Sequence, residues 1–463
     1  MSFLTPWRDP VLHPYRQGLF FAFFNALNWQ IATGTPIVLF MAYLGADSFE
    51  TGLVYGWPLL LTPIQVFATV LLPRLGFKRL TLAGWGARSW FLVVPLALTI
   101  LLHGRTPSSW MVHVVVAAMF CYSLSRSVGA AAITTWLQGL VPEKVRGRYW
   151  STDQMMGGTA SVGTLVLCAL CFSTLPQSWA FSLLYAFSIS GAWLAFRCLQ
   201  GLPDIERPTV MSLATIRADA PRHLFDPTPF RTYLWLAVGF LVVATPIVPF
   251  AAYYLKTVAG VAPGHIMGYT IVQYAGVIAG NAFMRSRIDH TGTKPFFRLI
   301  FSFFAVVAAG WLVCLHWTGL IPWVMPPLYA VLGAGTGMFT AANVSYLSKL
   351  LPPAERALPV SLHGAVSYFL GGLAPVAWGL VLKEGEMATI NLPAFQAFFV
   401  FTLVGALVLV VLVNRLEEKA GSTDPLLEIG WLFRPFRVVT SLINLTGPGN
   451  SGKRTPGSPD PNA

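Results

Sequence analysis

Apolar runs long enough to cross a bilayer recur along nearly the whole chain, and no other feature constrains the fold as strongly. Hydrocarbon offers a backbone amide no partner. Each crossing segment must therefore satisfy its own hydrogen bonds, which makes it a helix of about 20 residues. Twelve such segments are read, at 15–43, 48–73, 79–102, 109–140, 150–174, 177–199, 229–256, 263–285, 294–316, 320–350, 358–383 and 390–415. The first, fourth and tenth exceed one crossing and are expected to tilt or protrude. Only 10% of the residues are charged, against about 25% in a soluble domain. The fold class is an all-α polytopic membrane protein.

The net charge of +12 would suit a nucleic-acid partner, but the charges lie in short loops between apolar runs rather than on one basic stripe. Of the 30 Lys and Arg residues, Arg105, Lys256 and Lys383 fall on one side and Arg126 within the fourth segment. The other 26 lie in or near segments of the opposite side. Basic loops stay in the cytoplasm, so both termini are expected there, in the cell (inner) membrane. The division that follows is a cytoplasmic N-terminus (1–14), a six-span bundle (15–199), a charged, proline-punctuated linker (200–228), a second six-span bundle (229–415) and a cytoplasmic tail (416–463). Within the tail, residues 425–446 mix Trp431, Phe433 and Phe436 with Arg434 and Arg437. They read either as a helix lying on the leaflet or as plain tail, and disorder is expected beyond them. No cleavable signal is visible, because the first apolar stretch is too long for a signal-peptide core. Cys121, Cys168, Cys171, Cys198 and Cys314 sit in apolar stretches and read as packing residues.

The chain repeats itself. Residues 35–43 read TPIVLFMAY and residues 245–253 read TPIVPFAAY, identical at seven of nine positions at an offset of 210. At the same offset Leu137, Leu140, Pro142, Arg146 and Ser151 match Leu347, Leu350, Pro352, Arg356 and Ser361. Gly76 and Lys78 match Gly292 and Lys294 at an offset of 216. An even number of segments separates each pair, so the halves run parallel. Two such bundles can rock about a site between them.

These features resemble the major facilitator superfamily over residues 15–415. That family carries a D-R-x-G-R-K signature after spans 2 and 8. Here the second copy is Asp289-His290-Thr291-Gly292-Thr293-Lys294. The first is Pro73-Arg74-Leu75-Gly76-Phe77-Lys78, without its acidic residue. Pro142-Glu143-Lys144-Val145-Arg146-Gly147-Arg148 resembles the family's loop 4–5, and Asp226-Pro227-Thr228-Pro229-Phe230-Arg231 the approach to span 7. The resemblance implies a cavity lined by spans 1, 4, 7 and 10, and a span-4 motif that begins at Arg126.

Arg126 stands out because a charge inside a span costs roughly 2.5–3.5 kcal/mol or more. Tyr122, Ser123 and Arg126 share a helix face. Arg126 reads as an anion anchor or coupling partner, or alternatively as a snorkelling or helix-clamping residue. Asn25, Asn28 and Thr35 form a stripe on span 1, and Thr336, Thr340 and Asn343 one on span 10. Either stripe could line a solute cavity or bond between helices. Asp153 and His363 are equivalent at offset 210, each just past a basic loop. They read as gate residues, with Asp153 pairing Arg146, Arg148 or a basic residue of the other half, or as helix-end charges. Gly76, Lys78, Asp289, Gly292, Lys294 and Arg356 complete the gate expectation. His113 and His316 read as structural.

None of the 18 acids sits near a span centre, which disfavours export of cationic drugs. Neither a phosphate-cradling glycine loop nor a catalytic triad is visible, so no cofactor, ATP drive or enzyme activity is expected. The leading expectation is a monomeric secondary transporter of a small anionic or neutral organic solute, with the bilayer as its surroundings and protons as the candidate coupling ion. Transport of lipids or amphipathic molecules is the alternative, ahead of a membrane enzyme or sensor. Reporter fusions after residues 105, 256 and 383 should read the outer side of the membrane. A cytoplasmic signal from any of them would overturn the orientation.

Overall fold

The computed structural model describes residues 11–205, 220–285, 287–351, 357–387 and 391–417. Linker residues 206–219, the tail from 418 including 425–446, and the side chains of Glu143, Arg146, Asp289 and Arg356 lie outside the described residues. Nine helical stretches among the described residues are long and apolar enough to cross a membrane. The protein is therefore an all-α, multi-pass integral membrane protein.

The first apolar segment is two helices, α1 (Arg16–Ala32) and α2 (Thr35–Tyr43). Between them Gly34 is extended (ψ −161°), and Pro36 occupies the first turn of α2. A helix start leaves its first N–H groups unpaired, so the N–H that proline lacks is not missed there. α3 (Ser48–Leu60) opens with a reciprocal cap. Asp47 accepts from the Glu50 N–H at 2.8 Å, and Glu50 accepts from the Asp47 N–H at 3.0 Å. It continues as α4 (Pro63–Ala68) and α5 (Leu72–Leu75) to Gly76, whose φ of 76° favours glycine.

The chain then forms α6 (Phe77–Phe91), α7 (Val93–Leu101), α8 (Ser109–Leu140), α9 (Glu143–Thr174) and α10 (Gln177–Gln200). α9 begins before the apolar run read at 150, because Pro142 starts the helix while its polar first turns are still outside that run. The second half repeats the pattern. α11 (Pro229–Ala244) and α12 (Ile247–Thr257) are split at Thr245 and Pro246. α13 (Pro263–Arg285) and the short α14 (Ile288–Thr291) lead to Gly292, with a φ of 81°. α15 (Lys294–His316), α16 (Ile321–Leu350), α17 (Ala357–Met387) and α18 (Asn391–Leu412) follow.

Packing partners repeat as well. In the first half α1 packs on α9 and α10, α8 on α3 and α6, and α10 on α6 and α7. In the second half α11 packs on α17 and α18, α16 on α13 and α15, and α15 on α18. Each contact has its counterpart under the sequence offset. The halves meet through α3 with α17, α9 with α13, and α2 with α12. The two copies of the repeated peptide thus pack against each other.

Inside the first half α6 and α8 cross glycine on glycine. A Cβ on Gly84 of α6 would lie 2.5 Å from the backbone of Gly129 on α8. Backbone cannot yield as a flexible side chain can, so Gly84→Val should cost at least the roughly 1–3 kcal/mol typical of overpacking. Gly163→Ala, whose new Cβ would meet nothing within 4 Å, should leave stability unchanged. Thermal unfolding in one detergent checks both. Equal midpoints would show that α6 and α8 are not locked at this crossing.

Candidate functional site

A cavity of about 500 Å³ lies between the halves. The first half supplies Trp29 and Thr33 from the end of α1 and its break, with Tyr55, Pro58 and Leu59 from α3. The second half supplies Phe240, Thr245, Gln273, Tyr274, Thr336, Thr340, Asn343 and Tyr368, among others. None of the lining residues carries a charge. The walls are aromatic and aliphatic, with hydroxyls and two amides as the polar groups. Such a lining can orient an uncharged polar solute while drying its apolar faces.

Hydrogen bonds close one end of this cavity. The Tyr274 hydroxyl donates to Gln30 Oε1 at 2.7 Å, and the hydroxyls of Thr35 and Thr270 lie 3.3 Å apart. Farther out, the Tyr253 hydroxyl donates to the Ala46 carbonyl at 3.3 Å, and Ser48 donates to the Gly379 carbonyl at 3.0 Å. Lys383 then pairs with Asp47 at 2.7 Å. Small residues permit the approach: a Cβ on Gly52 would strike the Pro375 carbonyl, and one on Gly372 would lie 2.8 Å from the Leu60 nitrogen. Towards the other end, the lining residues Thr340 and Val344 are exposed.

The span-10 stripe of Thr336, Thr340 and Asn343 lines the cavity. Asn343 Oδ1 accepts from the Tyr233 hydroxyl at 2.5 Å, which fixes its amide. The span-1 stripe lies elsewhere. Asn28 is fully buried, donates to Ser188 Oγ at 3.1 Å and accepts from the Tyr122 hydroxyl at 2.7 Å. Asn25 Oδ1 accepts from Arg88 at 2.6 Å and from the Trp85 indole at 3.2 Å. Thr35 joins the closed end. Tyr122 and Ser123 are buried on α8. Arg126 is not a lining residue. Its guanidinium lies over the Trp29 ring, 4.4 Å from the centroid, and Trp29 stands between it and the cavity.

Arg126 is also not the lone basic residue inside a span. Arg88, on α6, is 1% exposed. Its guanidinium lies 4.6 Å from the Trp85 centroid and 5.8 Å from that of Tyr122. The sequence places it only among the 26 basic residues in or near cytoplasmic segments. Its distance into the apolar run 79–102 was the signal that should have separated it. Tyr55, Gln273, Tyr274 and Tyr368 were missed too, although each is a polar group inside an apolar run.

The expected gate residues divide into separate roles. Lys78 Nζ donates to the Leu202 carbonyl at 2.6 Å, beyond the end of α10. Lys294 Nζ donates to the Asn414 and Leu416 carbonyls, each at 2.9 Å, beyond the end of α18. Each lysine therefore ties the first residues after its glycine to the last helix of its own half. His363 is buried with its ring parallel to that of Tyr233 at 5.4 Å, inside the second half. Asp153 is half-buried and has no hydrogen bond or ion pair among the described residues. Arg148 is exposed at the start of α9.

Accessibility distinguishes the two ends. In a background lacking the five native cysteines, Thr340→Cys should react with a soluble thiol reagent, whereas Ser48→Cys should not, because Ser48 is fully buried. Equal labelling would show that the closed end is not sealed.

The sequence profile of the Major Facilitator Superfamily matches residues 18–375. No curated protein matches the chain. Among solved structures, the nucleoside transporter NupG is similar at a TM-score of 0.61 and 13% identity, over 86% of this chain and 98% of that one. The peptide transporter POT in complex with sulfate gives 0.64 and 14%, over 87% and 94%. A D-xylose–proton symporter gives 0.61 and 15%, over 88% and 97%. At these identities the likeness is one of fold.

Proposed function

The chain belongs to the Major Facilitator Superfamily, and on that premise we propose that it moves a small neutral or anionic organic solute by rocking two parallel six-helix bundles. Membership makes it a secondary transporter of a small solute that works by alternating access, and not an enzyme. The twelve spans, the cytoplasmic termini in the cell (inner) membrane and the solute's charge class are this proposal's own. The repeated packing partners and the even spacing of the sequence repeat support the parallel arrangement. With the basic loops in the cytoplasm, the closed end faces outward and the cavity opens inward.

One observation carries the reading. The cavity takes its walls from both halves, and hydrogen bonds join those halves at one end of it. A solute in that space touches both bodies that must move, so its binding energy can differ between their two arrangements. Only such a difference shifts the equilibrium. The uncharged lining suits the body of the solute. Arg126, behind Trp29, is the nearby charge. Protons are the coupling ion to test.

Reconstituted protein should take up at least one solute from a panel of sugars, nucleosides, peptides and organic acids, assayed with and without a pH gradient. Thr340→Trp adds bulk to the cavity wall where the side chain is exposed rather than packed. It should cut that uptake at least tenfold while the unfolding midpoint stays within a few degrees. Undiminished uptake in the variant would place the solute path elsewhere.

A further inference from the structure

Two guanidinium groups lie inside the spans of the first half, Arg88 buried and Arg126 half-buried, and neither has a carboxylate partner among the described residues. Arg88 spends one nitrogen on Asn25, and its Nε has no hydrogen-bond partner among the described residues. Arg126 rests on Trp29 and has no hydrogen bond or ion pair among them. Of the four acids of this half whose side chains are described, three are engaged elsewhere. Asp47 pairs with Lys383, Glu50 lies 3.6 Å from His113, and Asp204 accepts from the N–H groups of Lys78 and Ile205. Asp153, the fourth, bonds to neither arginine.

Two positive charges in a low-dielectric interior repel each other, and neither has shed its desolvation cost through an ion pair. The remaining polar groups nearby do not supply the missing charge. Tyr122 lies one turn before Arg126 on α8, with its ring under Arg88. Next to that stripe run Ser123 and Ser127, four residues apart on adjoining turns. Both are fully buried, and neither hydroxyl has a partner among the described residues. Unspent donors on serine and arginine, with net positive charge and no anionic partner among the described residues, make the converse of a cation site.

We propose that Arg88 and Arg126, with the hydroxyls of Ser123 and Ser127, form a site for a singly charged anionic group, closed off from the cavity by Trp29. The group is a carboxylate carried by the solute or a small inorganic anion of the same charge. The carboxylate source rests on the transporter reading; the inorganic source stands without it. Trp29 is the door because it touches both spaces: it lines the cavity and its ring covers the Arg126 guanidinium. It also occupies the last turn of α1, and its carbonyl accepts from both the N–H and the hydroxyl of Thr33 at the break. A shift at the Thr33 and Gly34 break moves this turn, and with it the cover over Arg126.

The test is anion binding to the purified full-length protein in nanodiscs. Chloride and acetate are titrated separately at constant ionic strength against a bulky sulfonate, with thermal unfolding and calorimetry as readouts. Wild type should show saturable binding of at least one anion, with a matching rise in the unfolding midpoint. Arg126→Gln should weaken it at least tenfold, and Arg126→Lys less, since the charge survives but the fork is lost. Ser123→Ala with Ser127→Ala should weaken it several-fold, which keeps the proposal testable if Arg88→Gln does not fold. Trp29→Ala should preserve affinity and speed association. Competition by carboxylates, but not by their amides, assigns the site to the solute. Chloride binding that carboxylates do not displace assigns it to an inorganic ion. Absence of saturable binding of either anion in folded wild type overturns the site, as does unchanged affinity in Arg126→Gln. Solute uptake that persists in that case leaves the transporter reading intact.

Discussion

A peptide N–H in hydrocarbon has no water to turn to, and the architecture depends on that fact. It forces the chain into helices and restricts where a helix can break. The breaks in α1–α2, α3–α4 and α11–α12 each fall within the protein's own packing. Thr33 covers the first, donating its hydroxyl and its N–H to Trp29. At the second, Thr62 donates to the Pro58 carbonyl. At the third, Thr245 donates to the Gly371 carbonyl of a neighbouring helix at 2.6 Å. Thr33, Pro58 and Thr245 also line the cavity. Freed backbone is tolerated where a polar space receives it, so the bends and the candidate site occur together for one reason.

The same solvent makes each buried charge expensive, and the halves differ in how they carry it. The second half lines the cavity with threonines, two amides and tyrosines, beside aromatic residues stacked on one another, as with Phe240 on Phe339 at 3.9 Å. The first half carries two arginines off the cavity lining, held by rings and by one asparagine. An aromatic face attracts a cation, by about 2 kcal/mol when both are desolvated, yet leaves its formal charge in place. Trp85, Tyr122 and Trp29 therefore make the arginines tolerable without neutralising them. Sequence repetition conserved the frame of the two halves and not their chemistry.

Span positions were legible because each rests on one local property, a run of apolar residues. The offset of 210 was legible because the break and restart of a helix need particular residues, and Thr-Pro-Ile-Val occurs at both breaks. The site was only partly legible. Thr336, Thr340 and Asn343 lie on one face of one uninterrupted helix, so helical spacing alone groups them. Asn25 and Asn28 had the same spacing and went elsewhere, because α1 turns that face towards α6, α8 and α10 rather than towards the cavity. Which face a span turns inward is set by its neighbours, and no periodicity within the span records it. Arg88 was hidden for a related reason. Two basic residues precede it by about three turns, and its depth in the apolar run 79–102 was readable, but its partners become clear only once α6 is placed against α8.

For the halves to rock, the closed end must come apart at a cost that binding can offset. Its composition fits that demand. Its contacts are glycine against backbone, a few hydroxyl hydrogen bonds and one partly exposed ion pair, beside the apolar packing of α2 on α12. A net hydrogen bond contributes about 0.5–1.5 kcal/mol, and an exposed pair at most about 1 kcal/mol. A handful of such polar terms amounts to several kcal/mol. Part of that loss can be recovered at the other end. Asp153 stands half-buried there without a bond among the described residues, so an approach of the second half could give it a partner that the present arrangement lacks. A second arrangement that satisfied the polar groups left unspent here would differ from this one by little. A small difference of this kind is one that a solute touching both halves can reverse.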